Sequence, residues 1–259
     1  MGTDTPDYIT PATATVLQAK LGAYRAGTFD VGCACASFPT ALASASGLMA
    51  ANTGVETVLV VGAYVTQPSR RRRRPHVLLL RRRGRRGRPP ARRRPRHTGR
   101  RVRRGRPLRR LLGASMPAVP WSRPTRRPWP PAVTGCGSST ATPLEINEQG
   151  WPRLVRQLAE RCGFAVDEID HAIFTQVNRC TIHRVCDALD LPRERAVMIM
   201  EECGYTGSAC VPMALDTLLS RGGARAGELV VLLGSGVGYN MAAVAVRIDA
   251  QAAAAAAAD

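Results

Sequence analysis

Residues 28–38 of the chain have the sequence TFDVGCACASF. The pattern predicts a short strand at residues 28–31 that runs into a turn of small residues carrying two cysteines. A helix rich in small residues is predicted next, at residues 40–54, followed by the hydrophobic segment ETVLVVG at residues 56–62. A continuous hydrophobic run is typical of a strand that is buried on both faces. This stretch therefore predicts an α/β fold in which a cysteine lies where a strand turns into a helix.

The rest of the chain, outside an arginine-rich block, alternates helices and strands in the same way. Further helices are predicted at residues 12–23, 150–164, 181–190 and in the second part of 203–222. Further strands are predicted at residues 172–174, 196–200, 228–233 and 241–248, with a flexible glycine-rich loop at 234–238. The prediction is an α/β layered fold with a low-complexity tail at residues 250–259.

The arginine-rich block lies between these two parts of the chain. Residues 70–127 contain 25 arginines and neither lysine nor acidic residues. The whole chain has 37 basic and 19 acidic residues and a net charge of +18; without those 25 arginines, 12 basic residues remain, for a net charge of −7. One interpretation is an arm that binds nucleic acid. Such arms usually mix lysine with arginine, however, and Lys20 is the only lysine in the chain. With frequent proline and no periodicity, the block is expected to be disordered.

Cys35 is the candidate nucleophile. The N-terminal end of a helix favours the thiolate form of a cysteine, and small neighbours leave room for a substrate carbonyl. The alternative is that Cys33 and Cys35 are small packing residues. The eight cysteines have no paired CxxC spacing, which argues against a disulfide framework and a metal site. We expect reduced thiols and a cytoplasmic location, since there is neither a signal peptide nor an apolar run of about 20 residues.

Several segments carry a resemblance to a known family. The run DVGCACASF, then ETVLVVGAYV, DEIDHAIFTQVN, CGYTGSACVPMAL and LVVLLGSGVGYNMAAVAVRI follow one another in the chain. In this order they resemble the ketoacyl-acyl-carrier-protein synthase III enzymes of the thiolase superfamily. The resemblance covers residues 1–67 and 144–249. It implies a thiolase-like αβαβα layered fold that is incomplete here, because about 80 residues of the family's first region are expected to be missing before Met1.

The resemblance also assigns residues to a site. It implies that Cys35 accepts the acyl group. The family's catalytic histidine and asparagine positions are occupied here by Thr175 and Tyr205. A hydroxyl can donate a hydrogen bond, but threonine cannot act as a base near neutral pH, so malonyl decarboxylation is in doubt. His171 and His183 are interpreted as surface or hydrogen-bonded histidines. The resemblance places further residues at substrate-binding positions: Phe38, Asn178, Gly234, Gly236 and Gly238.

Comparison with the same family suggests that the arginine block is the product of a shifted reading frame. The family has a GDGAGAAV segment at this distance after the strand. Written in GC-rich codons and translated from the third base of each codon, that segment gives RRRGRRGR, the sequence of residues 81–88. We hypothesise that residues 69–142 are frameshifted. The predicted organisation is then a partial N-terminal half at 1–68, the block, and a C-terminal half at 143–249. In-frame codons with ordinary arginine usage in the nucleotide sequence would exclude the hypothesis.

The predicted function is that of an acyltransferase without a cofactor or metal. An acyl group would pass from coenzyme A or acyl carrier protein to Cys35. From there it would pass to malonyl-acyl carrier protein or to the hydroxyl or amine of a specialised metabolite. Intact relatives are expected to be homodimers. The alternatives are an inactive product of a damaged gene and an arginine-rich nucleic-acid-binding protein, although nucleic acid is the less favoured partner. No membrane association is expected.

Overall fold

The computed structural model describes residues 1–6, 8–51, 54–64 and 144–250, and the backbone of two short strands within the arginine block. The described helices, in chain order, are α1 (Thr13–Leu21), α2 (Ser37–Ala50), α3 (Leu144–Cys162), α4 (Arg179–Ala188), α5 (Met200–Cys203) and α6 (Cys210–Ser220). The described strands are β1 (Thr57–Gly62), β2 (His76–Arg81), β3 (Leu108–Arg109), β4 (His171–Phe174), β5 (Leu229–Gly236) and β6 (Asn240–Arg247). They form two three-stranded sheets.

The second sheet is the centre of the α/β layers. Strand β4 pairs in parallel with β5, and β5 pairs antiparallel with β6. Every residue of β5 is buried. Successive side chains of a strand point to opposite faces. Accordingly, Val230 and Leu232 pack with helices α2 and α6 on one face, whereas Val231 and Leu233 pack with α3 and α4 on the other. The sheet is therefore sandwiched between two helical layers, as the sequence predicted.

Helices α3 and α4 are fixed to the sheet by specific contacts. The rings of Trp151 in α3 and Phe174 in β4 stack in parallel with centroids 5.3 Å apart. The side-chain oxygen of Asn178 accepts hydrogen bonds from the first backbone N–H groups of α4, which would otherwise lack partners. The guanidinium of Arg156 donates to the carbonyl of Ala188 at the other end of α4.

The strand predicted at residues 196–200 is wrong. The segment makes one bridge, Ala196 to Ala172, and α5 begins at Met200. The side chain of Gln176 takes the place of a strand ladder here. Its amide nitrogen donates to the carbonyls of Phe174 (2.9 Å) and Val197 (3.0 Å), and its oxygen accepts from the N–H of Ile199 (3.0 Å). A buried amide satisfies these backbone groups without a continuous strand.

Two other elements differ from the predicted ones near the nucleophile. The strand predicted at residues 28–31 makes only a bridge from Val31 to Gly2, which also bridges to Gly62. The glycine-rich segment predicted as a loop at 234–238 is part of β5 as far as Gly236. Its backbone pairs with β6 through Gly236 and Asn240, so these glycines belong to a rigid strand.

The first sheet includes part of the arginine block. Strand β2 pairs antiparallel with β1 along its whole length, and β3 pairs in parallel with β2. We expected no regular structure within the block, so these two strands are a difference from the sequence prediction. The remaining residues of the block, and the tail from residue 251, lie outside the described residues.

Helix α2 contains a glycine whose replacement should stabilise the protein. Gly47 is exposed, and a Cβ built there meets no heavy atom within 4 Å. We expect Gly47→Ala to increase the free energy of unfolding by about 0.5–1 kcal/mol, because alanine loses less backbone entropy on folding than glycine. The midpoint of urea unfolding measures this.

The control substitution is Gly62→Ala at the end of β1. A Cβ there would lie 2.7 Å from Pro212 Cγ and 3.0 Å from the Ser208 carbonyl oxygen. We expect this variant to lose about 1–3 kcal/mol through overpacking. Equal effects of the two substitutions would contradict the packing of α2 and β1 described above.

Candidate functional site

A tight turn holds Cys35 at the start of α2. Ala34 has a positive φ of 48°, and a single turn of 3-10 helix, Ala34–Ala36, leads into α2. The Cys33 N–H donates to Ser37 Oγ (2.9 Å), and the Ser37 hydroxyl donates to the Ala34 carbonyl (2.6 Å). Side-chain bonds of this kind stabilise turns and helix starts. Cys35 is 8% exposed and is thus held with little freedom at the N-terminal end of the helix.

Two glycines of β5 lie directly against this turn. A Cβ on Gly234 would be 2.8 Å from the Ala36 Cα and 2.9 Å from the Cys35 carbonyl oxygen. A Cβ on Gly236 would be 2.1 Å from the Cys33 carbonyl oxygen. Any side chain at either position would push the strand and the turn apart, so glycine is needed for the close approach. Both glycines were predicted to contact substrate, and the structure gives them a packing contact behind Cys35.

Gly238 follows in the turn between β5 and β6. Its φ of +123° is a conformation that favours glycine. A Cβ on it would meet no heavy atom within 4 Å. Its role in substrate binding stays a prediction.

The side chain of Tyr205 touches the nucleophile. Its hydroxyl donates a hydrogen bond to Cys35 Sγ. Burial raises the pKa of the Cys35 thiol, the Tyr205 hydrogen bond lowers it, and the negative charge of Asp4 raises it further. Burial is the largest of these effects, so the thiol is the favoured form at rest. The Tyr205 hydroxyl has a strongly raised pKa, chiefly through its own burial, and is therefore a donor rather than a base.

Thr175 directly follows the last residue of β4 and lies next to Ser235 of β5. It is buried, and its Oγ1 accepts a hydrogen bond of 2.8 Å from the backbone N–H of Ser235. Ser235 stands between the two glycines that pack against the nucleophile turn. The structure therefore brings Thr175 and Tyr205 to the Cys35 region from separate elements. The oxygen of Thr175 is engaged by the backbone, while its proton is available to be donated.

Two predicted substrate contacts have structural roles. Phe38 is fully buried within the hydrophobic core formed with α6 and β5. Asn178 caps α4 through its side-chain oxygen. Their contact with substrate stays a prediction. His171 was interpreted as a hydrogen-bonded histidine, and its Nε2 lies 3.0 Å from Glu228 Oε2 at the opposite end of β4 from Thr175. That interpretation is confirmed.

Three further residues of the site, Asp4, Tyr64 and Ser208, were not predicted from the sequence. The Ser208 hydroxyl lies 2.9 Å from Asp4 Oδ1 and 2.7 Å from the Ala63 carbonyl oxygen. The ring of Tyr64 packs against Gly207, where a Cβ would be 2.4 Å from the ring. No sequence spacing links these residues, because Asp4 and Ser208 are 204 positions apart.

Metal and disulfide chemistry have no assembled site in the described part of the chain. No group of three or more His, Cys, Asp or Glu side chains there is arranged to hold a metal ion. The described cysteines are free, and Cys210 near the site is almost completely buried, which raises its pKa to about 12. No described helix is long and apolar enough to cross a membrane.

This fold and site define an enzyme of the ketoacyl synthase type with a cysteine at the start of a helix. Family models match on either side of the arginine block: 3-oxoacyl-[acyl-carrier-protein] synthase III at residues 29–70 and its C-terminal domain at residues 159–248. The beta-ketoacyl-[acyl-carrier-protein] synthase III 3 of Streptomyces coelicolor is 31% identical over 260 residues, covering 95% of this chain and 74% of the relative. The chain belongs to the beta-ketoacyl-acyl-carrier-protein synthase III family.

Other relatives support the same assignment. The synthase III of Lactobacillus delbrueckii subsp. bulgaricus is 29% identical, with 96% of this chain and 76% of the relative covered. The crystal structure of 3-oxoacyl-(acyl carrier protein) synthase III from Pseudomonas aeruginosa matches with a TM-score of 0.71 and 25% identity, over 96% of this chain and 75% of that one. OleA of Xanthomonas campestris, at 19% identity and a TM-score of 0.60, shares the fold over 95% of this chain and 71% of its own. The predicted thiolase-like fold and enzyme class are thus confirmed.

The hydrogen bond from Tyr205 should control the ionisation of Cys35. In Tyr205→Phe the bond is lost, so the pKa of Cys35 rises and less thiolate is present at a given pH. We expect the rate of Cys35 alkylation by iodoacetamide at neutral pH to fall about tenfold, since a hydrogen bond to a charged group contributes about 1.5 kcal/mol. The pH profile of the rate should move to higher pH. Peptide mapping separates Cys35 from the exposed cysteines.

Tyr239→Phe is the matched control for this experiment. Its hydroxyl donates to Asn147 and does not bond to Cys35, so its loss should leave the alkylation profile unchanged. A Tyr205→Phe profile equal to that of the wild type would contradict the bond between Tyr205 and Cys35.

Proposed function

We propose that Cys35 takes an acyl group from acyl-CoA or acyl carrier protein and passes it to the hydroxyl or amine of a second substrate. The observation that carries the proposal is the contact between Cys35 Sγ and the Tyr205 hydroxyl at the start of α2. A thiol at a helix N-terminus with a hydrogen-bond donor on its sulfur is arranged for covalent catalysis. The family to which the chain belongs supplies the substrate class.

In the first half-reaction, the sulfur of Cys35 attacks the carbonyl carbon of the donor thioester. The bond between that carbon and the donor sulfur breaks, and the proton of the Cys35 thiol passes by way of solvent to the departing thiol. The Tyr205 hydroxyl stabilises the Cys35 sulfur while it is negatively charged, because a hydrogen bond to the charged form favours that form. The acyl group then rests on Cys35 as a thioester.

The residues at the family's histidine and asparagine positions favour transfer over condensation. Thr175 and Tyr205 are hydroxyl donors without the ring nitrogen of histidine or the amide of asparagine. The oxygen of Thr175 already accepts from Ser235. A hydroxyl donor can stabilise an oxyanion, but neither residue offers the donor pair that assists loss of carbon dioxide from a malonyl group. A hydroxyl or amine acceptor does not require that step.

The proposal includes a substrate-binding wall beside Cys35. The residues that form or support this wall are Phe38, Asn178, Gly234, Gly236 and Gly238. No metal or prosthetic group takes part, and acyl-CoA and acyl carrier protein are substrates. A cytoplasmic location and a homodimer are the proposed setting.

Acylation of Cys35 provides the direct test. We expect incubation with radiolabelled acetyl-CoA to place close to one label on each chain of the wild type. In Cys35→Ala the labelling should fall to background, because the nucleophile is removed. Cys33→Ala is the matched control in the same turn and should keep the label. Label that persists in Cys35→Ala would assign the nucleophile to another residue, and an unlabelled wild type would overturn the proposal.

The acceptor class is tested on the labelled protein. Addition of malonyl-acyl carrier protein should release no carbon dioxide beyond the background, whereas small alcohols and amines should remove the label as esters and amides. Release of carbon dioxide in step with loss of label would instead favour condensation.

A further inference from the structure

The acidic side chain of Asp4 lies at the edge of the site, in contact with Ser208, and takes no part in the first half-reaction. Asp4 reaches the site through the first residues of the chain. The N–H of Gly2 donates to the Val61 carbonyl (2.7 Å), and the N–H of Ala63 donates to the Gly2 carbonyl (3.0 Å). A Cβ on Gly2 would be 2.9 Å from the Ser37 backbone. Residues 1–3 are thus wedged between β1 and the start of α2, and Asp4 comes next.

The carboxylate of Asp4 is held on one side and exposed on the other. Its Oδ1 lies 2.9 Å from the hydroxyl of Ser208, which shares its proton between Asp4 and the Ala63 carbonyl. Its Oδ2 accepts no hydrogen bond from the described residues, and the side chain is exposed. Ser208 belongs to the same loop as Tyr205, whose hydroxyl contacts Cys35 Sγ, so the Asp4 carboxylate contacts the loop that reaches the nucleophile. In agreement with this placement, the negative charge of Asp4 raises the pKa of both Cys35 and Tyr64.

The transfer proposed above needs a group that accepts a proton. A hydroxyl or amine that attacks a thioester must lose a proton, and general bases accelerate this step. Thr175 cannot serve, and the raised pKa of Tyr205 makes it a donor. Glu201 and Glu202 in α5 are paired with Arg179 and Arg221. Asp4, by contrast, contacts Ser208 in the loop that carries Tyr205, next to the nucleophile turn.

We propose that Asp4 is a catalytic residue of the second half-reaction, in which its carboxylate accepts the proton of the hydroxyl or amine that attacks the acyl group on Cys35. The inference rests on the proposed function. The bond between the acceptor and the acyl carbon forms as the proton moves to Asp4 and the carbon–sulfur bond of Cys35 breaks. The electron pair of that bond stays on sulfur, where the Tyr205 hydroxyl donates to it. Asp4 then releases the proton to solvent.

The site orients the Asp4 carboxylate for this proton transfer. The contact with Ser208 keeps Oδ1 in place. Asp4 is therefore oriented before the acceptor arrives, which is the usual condition for effective general base catalysis.

The same carboxylate opposes the first half-reaction. Its negative charge raises the pKa of Cys35 and so reduces the thiolate fraction that attacks acyl-CoA. Removing the charge should therefore have opposite effects on the two half-reactions. A residue with a purely structural role would slow both.

The test follows the acetyl group on and off Cys35 in Asp4→Asn. With radiolabelled acetyl-CoA, labelling should be as fast as in the wild type or faster. After removal of acetyl-CoA, loss of the label to water, the simplest hydroxyl acceptor, should be slower by on the order of 10²-fold. Hydroxylamine attacks thioesters without an added base, so it should remove the label equally fast from both proteins.

A second variant, Asp4→Ala, distinguishes loss of the carboxylate from misfolding. In Asp4→Ala, release of the label to water should be slow and should recover when acetate is added, because the added carboxylate replaces the missing base. Equal rates of release to water from the wild type and both variants would overturn the role of Asp4 while leaving acylation of Cys35 intact. Slow release that acetate does not restore would also overturn it. A wild type that takes up no label would instead overturn the proposed function.

Discussion

The close contact between β5 and the nucleophile turn is the constraint on which the site depends. Two glycines let the strand approach the backbone of residues 33–36 to a distance that no side chain would allow. Because β5 is buried along its whole length, paired with β6 throughout and with β4 over residues 230–233, it offers a fixed surface. The turn is pressed against that surface, which sets the position of Cys35. Ser235, between the two glycines, also binds Thr175, so the same strand positions a second residue of the site.

The electrostatics around Cys35 combine opposing effects. Burial and the charge of Asp4 favour the neutral thiol, whereas the Tyr205 hydrogen bond favours the thiolate. A site of this kind does not keep a reactive thiolate at rest.

The sequence predicted the elements with strong periodicity and the residues that a family motif identifies. Helices α1, α2, α4 and α6 and strands β1, β4, β5 and β6 were predicted close to their observed positions, because local hydrophobic patterns determine them. Helix α3 was also predicted, but it begins at Leu144 rather than at residue 150. The strand predicted at residues 196–200 is wrong because a buried amide, that of Gln176, satisfies the backbone of this segment. No local pattern reports such a contact. Asp4 and Tyr64 were missed for the same reason, since their contacts with Ser208 and Gly207 join parts of the chain that are far apart in sequence.

The distance along the chain between Cys35 and its partner has a consequence for synthesis of the protein. Cys35 and Tyr205 are separated by 170 positions. At a translation rate of roughly 5–20 residues per second, the thiol leaves the ribosome about 10–30 seconds before the tyrosine that covers it. Strand β5, which supports the turn, is made later still. During that interval the nucleophile is an exposed thiol on a nascent chain, and the unfinished protein is more open to oxidation than the folded one.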